Sequence, residues 1–476
     1  MDTKKLRQKI LDLAIRGKLV PQDPNDEPAS VLLERIRAEK ERLIKEGKIK
    51  RSKKSAKSSD TPHYENEAPF DVPDGWVWMR LEEFVMAVTD GDHLPPPQSA
   101  TGVPFLVISD VNTGKIDFSN ARFVSQEYYN SLPFIRRAEK DDILFTVTGS
   151  YGITILVETQ KSFCFQRHIG LVKTIDCSKW ISIVLQSQYV HTYCDKVATG
   201  TAQKTVSLGH LRDLLIPIPP KSEQTRILNE LSTWLENADI LGHRIVELKG
   251  TINLAKSKIL DLAIRGKLVP QDPNDEPAIE LLKRINPKFE PCDNAQYPSL
   301  PSNWLTCNVK DVFQINPKTN ASDDLDAGFV PMSSICDQYN NAFSFETRPW
   351  GDIKRGYTHF QDGDIAVAKI SPCLENRKSV VFQNLPNGIG AGTTELNVFR
   401  SDILYPLFGL FFFKSQHFIS NCVGTFNGVV GQQRVATRIV EEIEFFLPPY
   451  QEQIRIVSKI KELFAVLEKI QESIEA

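Results

Sequence analysis

The chain has 476 residues, 41% of them hydrophobic and 25% charged, and its formal net charge is −3. This composition excludes collagenous, wholly disordered and disulfide-scaffold proteins, and the small net charge gives no overall indication of a nucleic-acid or membrane partner. No dense apolar run approaches the roughly 20 residues of a membrane span. The eight cysteines are too scattered for a zinc site or a small disulfide framework, which predicts reduced thiols and a cytoplasmic location.

The first segment, residues 1–44, is predicted to be helical and contains a long internal repeat. Residues 9–29 recur without a single change at residues 258–278. Residues 45–66 follow as a Lys- and Ser-rich stretch with seven basic residues between Lys45 and Lys57. Such a run is typical of a solvated, flexible linker, and contact with phosphate groups is the alternative.

Two blocks of similar design are predicted to be mixed α/β domains, residues 67–218 and 295–447. Each opens on a Pro-x-x-Trp turn and closes on an apolar strand that ends in Pro-Pro. Gly- and Pro-rich turns separate short β-type runs. The runs are 105–108, 143–147 and 153–157 in the first block, and 365–368 and 379–382 in the second. The order of the strands does not follow from the sequence.

Each block is followed by a predicted helix, residues 219–266 and 448–476. Both start with Pro-Pro-x-x-Glu-Gln-x-Arg-Ile, at Pro219 and at Pro448. In the first helix, apolar residues from Ile227 to Leu262 step by four and three for about five heptads, which predicts a coiled-coil seam through Trp234 and Leu248. Packing of each stripe on a globular core is the alternative. Residues 267–294 form the second copy of the repeat loop, with a linker.

The spacing between the two copies differs from one repeat to another, and the copies can be aligned only if the chain is treated as a circle. The intact helix module runs from Pro219 to Gly266, whereas its counterpart runs from Pro448 to Ala476 and resumes from Met1 to Gly17. This pattern predicts a pseudo-twofold molecule with antiparallel helices and with termini that lie near each other.

The sequence contains no recognisable catalytic apparatus. Leu447-Pro448-Pro449-Tyr450 is similar to the loop of amino-group DNA methyltransferases, but a leucine stands where that loop needs the hydrogen-bonding side chain of Asp or Asn. No Gly-rich phosphate loop and no His-Glu-x-x-His motif is present. We therefore expect a non-catalytic protein. A self-contained DNA methyltransferase and a pure coiled-coil scaffold are the alternatives.

The chain resembles the specificity subunit of type I restriction-modification systems over essentially its full length. The resemblance rests on the two helix starts and on the duplicated Leu-Ala-x-x-Gly-Lys-Leu-Val-Pro-Gln segments. It also rests on Thr89-Asp90-Gly91-Asp92-His93 in the first block, and on residues 370–378 and 392–398 in the second. Arg377 departs from the glycine expected at its position.

The resemblance implies an α+β fold in which a long antiparallel two-helix coiled coil holds two target recognition domains apart in a pseudo-twofold, circular arrangement. Each domain would read one half of a bipartite site on double-stranded DNA, and the helices would set the gap. Two modification (methyltransferase) subunits would dock on the helices, and restriction (motor/nuclease) subunits would join them. S-adenosylmethionine, ATP and magnesium would belong to those partners, with no cofactor or metal in this chain and no membrane partner.

Polar and basic residues in the Gly-rich loops are the candidates for DNA contact. Arg and Lys suit guanine edges, and Gln and Asn suit adenine edges. In the first block the candidates are Ser150, Tyr151, Arg167, His168, Gln203 and Lys204. In the second block they are Lys369, Asn376, Arg377, Lys378, Thr393, Thr394, Gln432, Gln433 and Arg434. Each of these side chains, taken alone, is also compatible with an ordinary exposed surface position.

Overall fold

The computed structural model describes residues 2–51, 67–201, 203–290, 300–426 and 433–475. The chain divides into two compact units, which we call the N-terminal unit (Asp2–Arg244) and the C-terminal unit (Ile245–Ala476). One continuous helix, Lys221–Ala263, supplies residues to both units.

The N-terminal unit contains short strands between helices. Its helices are α1 (Thr3–Ile15), α2 (Ala29–Lys45), α3 (Leu81–Phe84), α4 (Gln126–Ser131), α5 (Ser178–Gln186), α6 (Gln188–Val197), α7 (Leu208–Asp213) and the first part of α8 (Lys221–Ala263). Its strands are β1 (Val77–Arg80), β2 (Ala87–Asp90), β3 (Val103–Leu106), β4 (Arg122–Val124), β5 (Ile143–Thr146), β6 (Thr154–Leu156), β7 (Cys164–Phe165), β8 (Ile169–Lys173) and β9 (Leu215–Ile218).

The C-terminal unit likewise contains short strands between helices. Its helices, after the end of α8, are α9 (Ala278–Ile285), α10 (Val309–Val312), α11 (Trp350–Ile353), α12 (Pro406–Phe413), α13 (Gln416–Cys422), α14 (Thr437–Glu441) and α15 (Tyr450–Glu475). Its strands are β10 (Leu305–Asn308), β11 (Gln314–Ile315), β12 (Asp326–Val330), β13 (Glu346–Pro349), β14 (Thr358–Gln361), β15 (Ile365–Ala368), β16 (Ser379–Val381), β17 (Ile389–Gly392), β18 (Leu396–Arg400) and β19 (Glu444–Leu447). Each of the five β-type runs of the sequence overlaps a strand, namely β3, β5, β6, β15 and β16, although the first run, 105–108, extends two residues beyond the end of β3.

The two domains share one strand order. The main sheet is β2-β8-β5-β6 in the N-terminal unit and β11-β18-β15-β16 in the C-terminal unit. The second sheet is β4-β3-β7 in the first and β13-β12-β17-β14 in the second, which adds one strand. A two-stranded ribbon, β1-β9 or β10-β19, joins the start of each domain to its end. The blocks are therefore mixed α/β domains, as predicted, and they are topological copies of each other.

A buried ion pair occupies the same place in both main sheets. Asp142 lies just before β5 and pairs with Lys173 at the end of β8, over 2.9 Å. Asp364 lies just before β15 and pairs with Arg400 at the end of β18, over 2.7 Å. Removing one partner of such a pair leaves a buried charge without compensation, so each pair ties two neighbouring strands together.

The first turns of each long helix belong to a domain core. Ile227 and Leu231 of α8 are buried in the cluster that holds Trp180 of the N-terminal domain. Ile456 and Ile460 of α15 are buried in the cluster that holds Phe408 of the C-terminal domain. Apolar burial of this kind fixes the direction in which each helix leaves its domain.

The helices pack antiparallel within each unit, as predicted. In the N-terminal unit, Arg7 of α1 pairs with Asp239 of α8 and Thr3 lies beside Gly242, so residue numbers rise along α8 as they fall along α1. In the C-terminal unit, Lys249 pairs with Glu475 over 2.6 Å and Lys256 with Glu468 over 3.0 Å, so residue numbers rise along α8 as they fall along α15.

The contact stripe departs from the predicted heptad seam. Trp234 and Leu248 are 48% and 40% exposed, although both stand at seam positions. Leu235 instead packs against the N-terminal core, and Lys256 is buried in the C-terminal unit. Ala238 and Ile252, the seam positions that follow Trp234 and Leu248, are buried. The contact face therefore keeps the predicted seam and departs from it locally, at Trp234 and Leu248.

All three sequence repeats meet at one place in each unit. We call the place in the N-terminal unit the N-terminal junction. Glu223 of α8 accepts hydrogen bonds from the indole of Trp76 (2.8 Å) and from the amide of Gln22 (2.7 Å). Arg226 pairs with Asp26 over 2.6 Å. The helix start therefore forms hydrogen bonds with both the Pro-x-x-Trp turn and the 21-residue repeat.

The C-terminal junction repeats these contacts with its own residues. Glu452 accepts from Trp304 (3.0 Å) and from Gln271 (2.8 Å), and Arg455 pairs with Asp275 over 2.5 Å. Gly266, which ends the repeat helix at φ +66°, lies against Pro301, and Gly17 lies against Pro73 in the same way at φ +64°. The repeated sequences therefore supply the residues that connect a long helix to its domain in both units.

Helix α2 is longer than its counterpart α9. The two start at equivalent residues, Ala29 and Ala278, but α2 continues to Lys45 whereas α9 ends at Ile285. Lys40, on the additional part of α2, donates to the backbone carbonyls of Glu82 and Val85. Burial lowers the pKa of Lys40 below its usual value. Most of the basic linker that follows lies outside the described residues.

Candidate nucleic-acid interface

One edge of the N-terminal main sheet collects the loops of the predicted site. Because the neighbouring strands are antiparallel, the ends of β2 and β5 lie beside the starts of β8 and β6. The loops at these strand ends are residues 91–94, 147–153 and 166–168, and residues 199–201 and 203–206 join them. We call this set the N-terminal loop edge.

Backbone hydrogen bonds hold the N-terminal loop edge together. Val147 donates to the carbonyl of His168 (2.9 Å), Gly149 donates to that of Lys204 (3.0 Å), and Val206 donates to that of Val147 (2.9 Å). These bonds bring three predicted pairs together: Ser150 with Tyr151, Arg167 with His168, and Gln203 with Lys204.

The C-terminal loop edge has the same backbone frame. Lys369 donates to the carbonyl of Glu395 (2.9 Å), Ser371 to that of Gln433 (2.8 Å), and Val435 to that of Lys369 (3.0 Å). In this frame His168 corresponds to Glu395, Lys204 to Gln433 and Gly149 to Ser371. Lys204 and Gln433, which were chosen separately in the two blocks, therefore lie at corresponding positions of one scaffold.

The side chains of the N-terminal loop edge differ in exposure and in whether they form hydrogen bonds within the protein. Ser150, Arg167, Gln203 and Lys204 are exposed. Tyr151 donates its hydroxyl proton to Asp195 over 2.7 Å, and this hydrogen bond raises the pKa of Tyr151. Burial and the neighbouring Arg167 lower the pKa of His168, so its ring is neutral at pH 7 and offers one donor and one acceptor.

The C-terminal loop edge carries a paired arginine. Arg434 and Glu395 form two hydrogen bonds, of 2.8 and 2.7 Å, and the arginine lowers the pKa of Glu395. A guanidinium fixed in this way has a defined plane, which suits directional contacts with a base or a phosphate. Thr394 is exposed beside this pair, and Lys369, Thr393 and Gln433 are partly buried.

Arg377 and Lys378 are not brought to this cluster. Arg377 donates from Nε to the carbonyl of Lys414 (3.0 Å), and its guanidinium lies 5.2 Å from the centre of the Tyr339 ring. Lys378 donates to the carbonyl of Met332 over 3.0 Å. Both side chains therefore contact other parts of the domain. Asn376, which directly precedes Arg377, is exposed. Gln432 lies outside the described residues.

The structure answers the question raised by Arg377. Its φ of +58° is the left-handed conformation that a glycine adopts without strain. The loop therefore keeps the shape that the family pattern implies, and the contacts of the arginine side chain hold it there.

Sequence reasoning left the loop after β2 out of the candidate site. Asp92 lies at the N-terminal loop edge, where its backbone N–H donates to Phe165 (2.9 Å) and its carbonyl accepts from Arg167 (3.0 Å). The signal was available, since the Thr89–His93 motif already stood out in the sequence. Glu395 was missed as well, because an acidic residue contributes no phosphate contact by itself.

Neither a metal centre nor a membrane span emerges from the described parts of the chain. In those parts, no group of three or more His, Cys, Asp or Glu side chains is arranged to hold a metal ion. No helix within the same ranges combines the length and apolar character needed to cross a bilayer.

The model of the type I restriction modification DNA specificity domain matches residues 73–250 and 301–476. Among curated proteins, the specificity subunits of the Escherichia coli type I restriction enzymes EcoAI and EcoEI are 38% and 40% identical to this chain. These matches cover 53% and 48% of this chain, and 47% and 41% of the relatives. The matched part is therefore less than half of each relative.

A solved chain from work on complex assembly and conformational transition of the type I R-M system has the same fold. The two chains superpose with a TM-score of 0.56 at 16% identity, over 86% of this chain and 94% of the other. Two copies of the family domain, on two topologically equal units, account for most of the described structure. The chain belongs to the type I restriction-modification DNA specificity family.

Proposed function

We propose that this chain is the DNA sequence-specificity subunit of a type I restriction-modification complex. Each domain reads one half of a bipartite site on double-stranded DNA, and the helices set the gap between the halves. The observation that carries this proposal is the recurrence of one backbone frame with different exposed side chains at the two loop edges. A constant frame with variable side chains suits the reading of two different sequences.

The charge distribution supports readout by local contacts. Neither domain has an excess of basic residues, so extensive phosphate neutralisation by the domains alone is not expected. Arg167 and Lys204 at one edge, and Lys369 at the other, supply the positive charge where the loops meet, while the charge of Arg434 is compensated by Glu395. The remaining phosphate contacts fall to the partner subunits.

The helices are proposed to dock two modification (methyltransferase) subunits, which are joined by restriction (motor/nuclease) subunits. Large apolar side chains point to solvent on the helices of the C-terminal unit: Val246 of α8 is 70% exposed, Leu254 is 71% exposed and Val466 of α15 is 53% exposed. Exposed apolar side chains on paired helices are typical of protein-binding surfaces. S-adenosylmethionine, ATP and magnesium bind to those partners, this chain is non-catalytic, and the complex works in the cytoplasm.

Exchange of one domain tests this function. Residues 71–218 are replaced by the equivalent block of a relative, and the chimera is expressed with its modification subunits. Sequencing of methylated bases in the host genome should show one half-site changed and the other retained. A methylation pattern in which both halves change, or neither does, contradicts independent reading by the two domains.

A further inference from the structure

The loop after β2 presents an apolar side chain at the N-terminal loop edge. Leu94 is 81% exposed, more than any other large hydrophobic side chain in the described ranges. Single exposed leucines are common on protein surfaces. This one is distinguished by its rigid support and by its neighbours.

Asp92 anchors the loop on one side of Leu94. Its backbone bonds to Phe165 and Arg167 attach it to the segment before β8, and its carboxylate accepts from Arg136 over 2.9 Å. Gly91 allows this close approach, because a side chain there would collide with the carbonyl of Phe165. His93 is held in turn by Asp90, over 3.0 Å.

A proline anchors the loop on the other side. Pro96 is buried, and the ring of Pro95 fixes its backbone angle φ. Only His93, Leu94 and Pro95 therefore project between two fixed points. A side chain held in this way loses little conformational entropy when a partner buries it.

Leu94 also shares its edge with basic and polar candidates for DNA contact. Arg167, whose backbone is bonded to Asp92, is exposed next to this loop. The carboxylates of Asp90 and Asp92 in this loop are paired with His93 and Arg136. The exposed Arg167 is therefore the group that suits a phosphate beside an inserted apolar side chain. Apolar side chains inserted between base pairs unstack them and kink the duplex.

We propose that Leu94 is a wedge that enters the base stack of the half-site read by the N-terminal domain and kinks the DNA there. The proposal rests on the proposed function, since it requires that this edge meets DNA. In the C-terminal domain, the corresponding loop after β11 is residues 316–321, which carry no exposed large hydrophobic side chain. The kink is therefore confined to one of the two half-sites.

Fluorescence of 2-aminopurine, which rises when the base leaves the stack, tests this asymmetry. The base analogue is placed in turn at each purine of both half-sites, and the complex of this chain with its modification subunits is bound to each duplex. Wild type, Leu94→Ala, Leu94→Met and Ile285→Ala are compared. Ile285 is a 44% exposed residue at the end of α9, outside the two loop edges and outside the helices α8 and α15, and serves as the matched control.

We expect a fluorescence rise at one step of the first half-site that is lost in Leu94→Ala and kept in Leu94→Met and Ile285→Ala. Affinity of Leu94→Ala for the intact site should fall about tenfold, as expected for a leucine that is no longer buried. A rise caused by bases that the modification subunits extrude persists in Leu94→Ala and is not counted.

Equal signals in wild type and Leu94→Ala, or a Leu94-dependent signal in both half-sites, overturn the wedge. Failure of the proposed function is distinguished by methylation of the host genome. If the wild-type complex methylates a bipartite motif but shows no Leu94-dependent signal, only the wedge is wrong. If it methylates no bipartite motif, the proposed function is wrong, and the wedge is wrong with it.

Discussion

Single residues explain how the loops of the C-terminal domain keep their shape. Lys414 is fully buried and donates to the carbonyls of Gln338 and Arg377, both over 2.9 Å. Arg377 in turn donates to the carbonyl of Lys414. Two residues with positive φ, Gln338 and Arg377, are thus held by one buried ammonium group.

Burial, together with the charge of Arg377, lowers the pKa of Lys414 to about 7, and Asp337 acts weakly in the opposite direction. In the unfolded chain this lysine has its ordinary value of 10.5. Between these two values the unfolded chain binds more protons than the folded chain. The stability of the C-terminal unit should therefore rise as the pH increases through this interval.

Replacing Lys414 by Met should remove this rise. Between pH 7 and pH 9 we expect the gain in the free energy of unfolding to shrink by about 2 kcal/mol, measured by urea unfolding with tryptophan fluorescence. Lys283→Met, at an exposed lysine of the same unit, is the control and should leave the gain unchanged. An unaltered gain in Lys414→Met would show that the buried lysine does not titrate in this range.

At the scale of elements, the helices were largely predictable and the sheets were not. The repeated helix starts and the apolar period of α8 are local signals, so they located α8 and α15 and indicated their antiparallel packing. Strand order depends on pairing between residues far apart in the chain, such as β2 with β8, and no local pattern records it.

The same limit applies to the candidate site. Ser150, Arg167 and Lys204, which the Gly-rich loops marked as candidates for DNA contact, lie at one edge of the structure. Loop glycines also marked Arg377, whose side chain points to Lys414, because a sequence motif does not record side-chain direction. The exposure of Trp234 and the packing of Leu235 against the core likewise depend on the local fit of the neighbouring elements, which a heptad pattern alone does not determine.

Helix length should determine the gap between the half-sites. Insertion of one heptad after Leu241 in α8 and one after Ile470 in α15 adds about 10 Å along the helix axis and nearly preserves the contact face. The spacer in the methylated motif should grow by about 3 base pairs.

Insertion into α8 alone is the control for this experiment. It breaks the match between the helices, so we expect loss of methylation rather than a longer spacer. An unchanged spacer in the folded, active double insertion would contradict the role of the helices as a ruler.

For the whole molecule, the circular order of the repeats leads to a prediction about connectivity. The module from Pro448 to Ala476 and from Met1 to Gly17 corresponds to the intact module from Pro219 to Gly266. If the termini lie near each other, joining Ala476 to Met1, directly or through two alanines, should be tolerated. New termini are placed near Ser55, in the linker outside the described residues.

The permutant should assemble with the modification subunits and methylate the parental motif, as measured by sequencing of methylated bases in the host. Its thermal stability should equal or exceed that of the parent, because a spliced helix has fewer fraying ends. A folded permutant that binds those subunits but methylates nothing, or that fails to bind them, contradicts the circular arrangement. A second permutant, joined through two glycines, tests whether helical continuity matters.

The duplicated junctions make the domains interchangeable parts. Each domain brings an indole, Trp76 or Trp304, to the same kind of partner, a glutamate of the helix start that also accepts from a glutamine of the repeat: Glu223 with Gln22, or Glu452 with Gln271. A domain moved from one position to the other would meet the contacts that it left. A pool of n domains would then supply n × n ordered pairs, each with its own bipartite target. New specificities would arise when whole domains are rearranged, without changing individual base contacts one at a time.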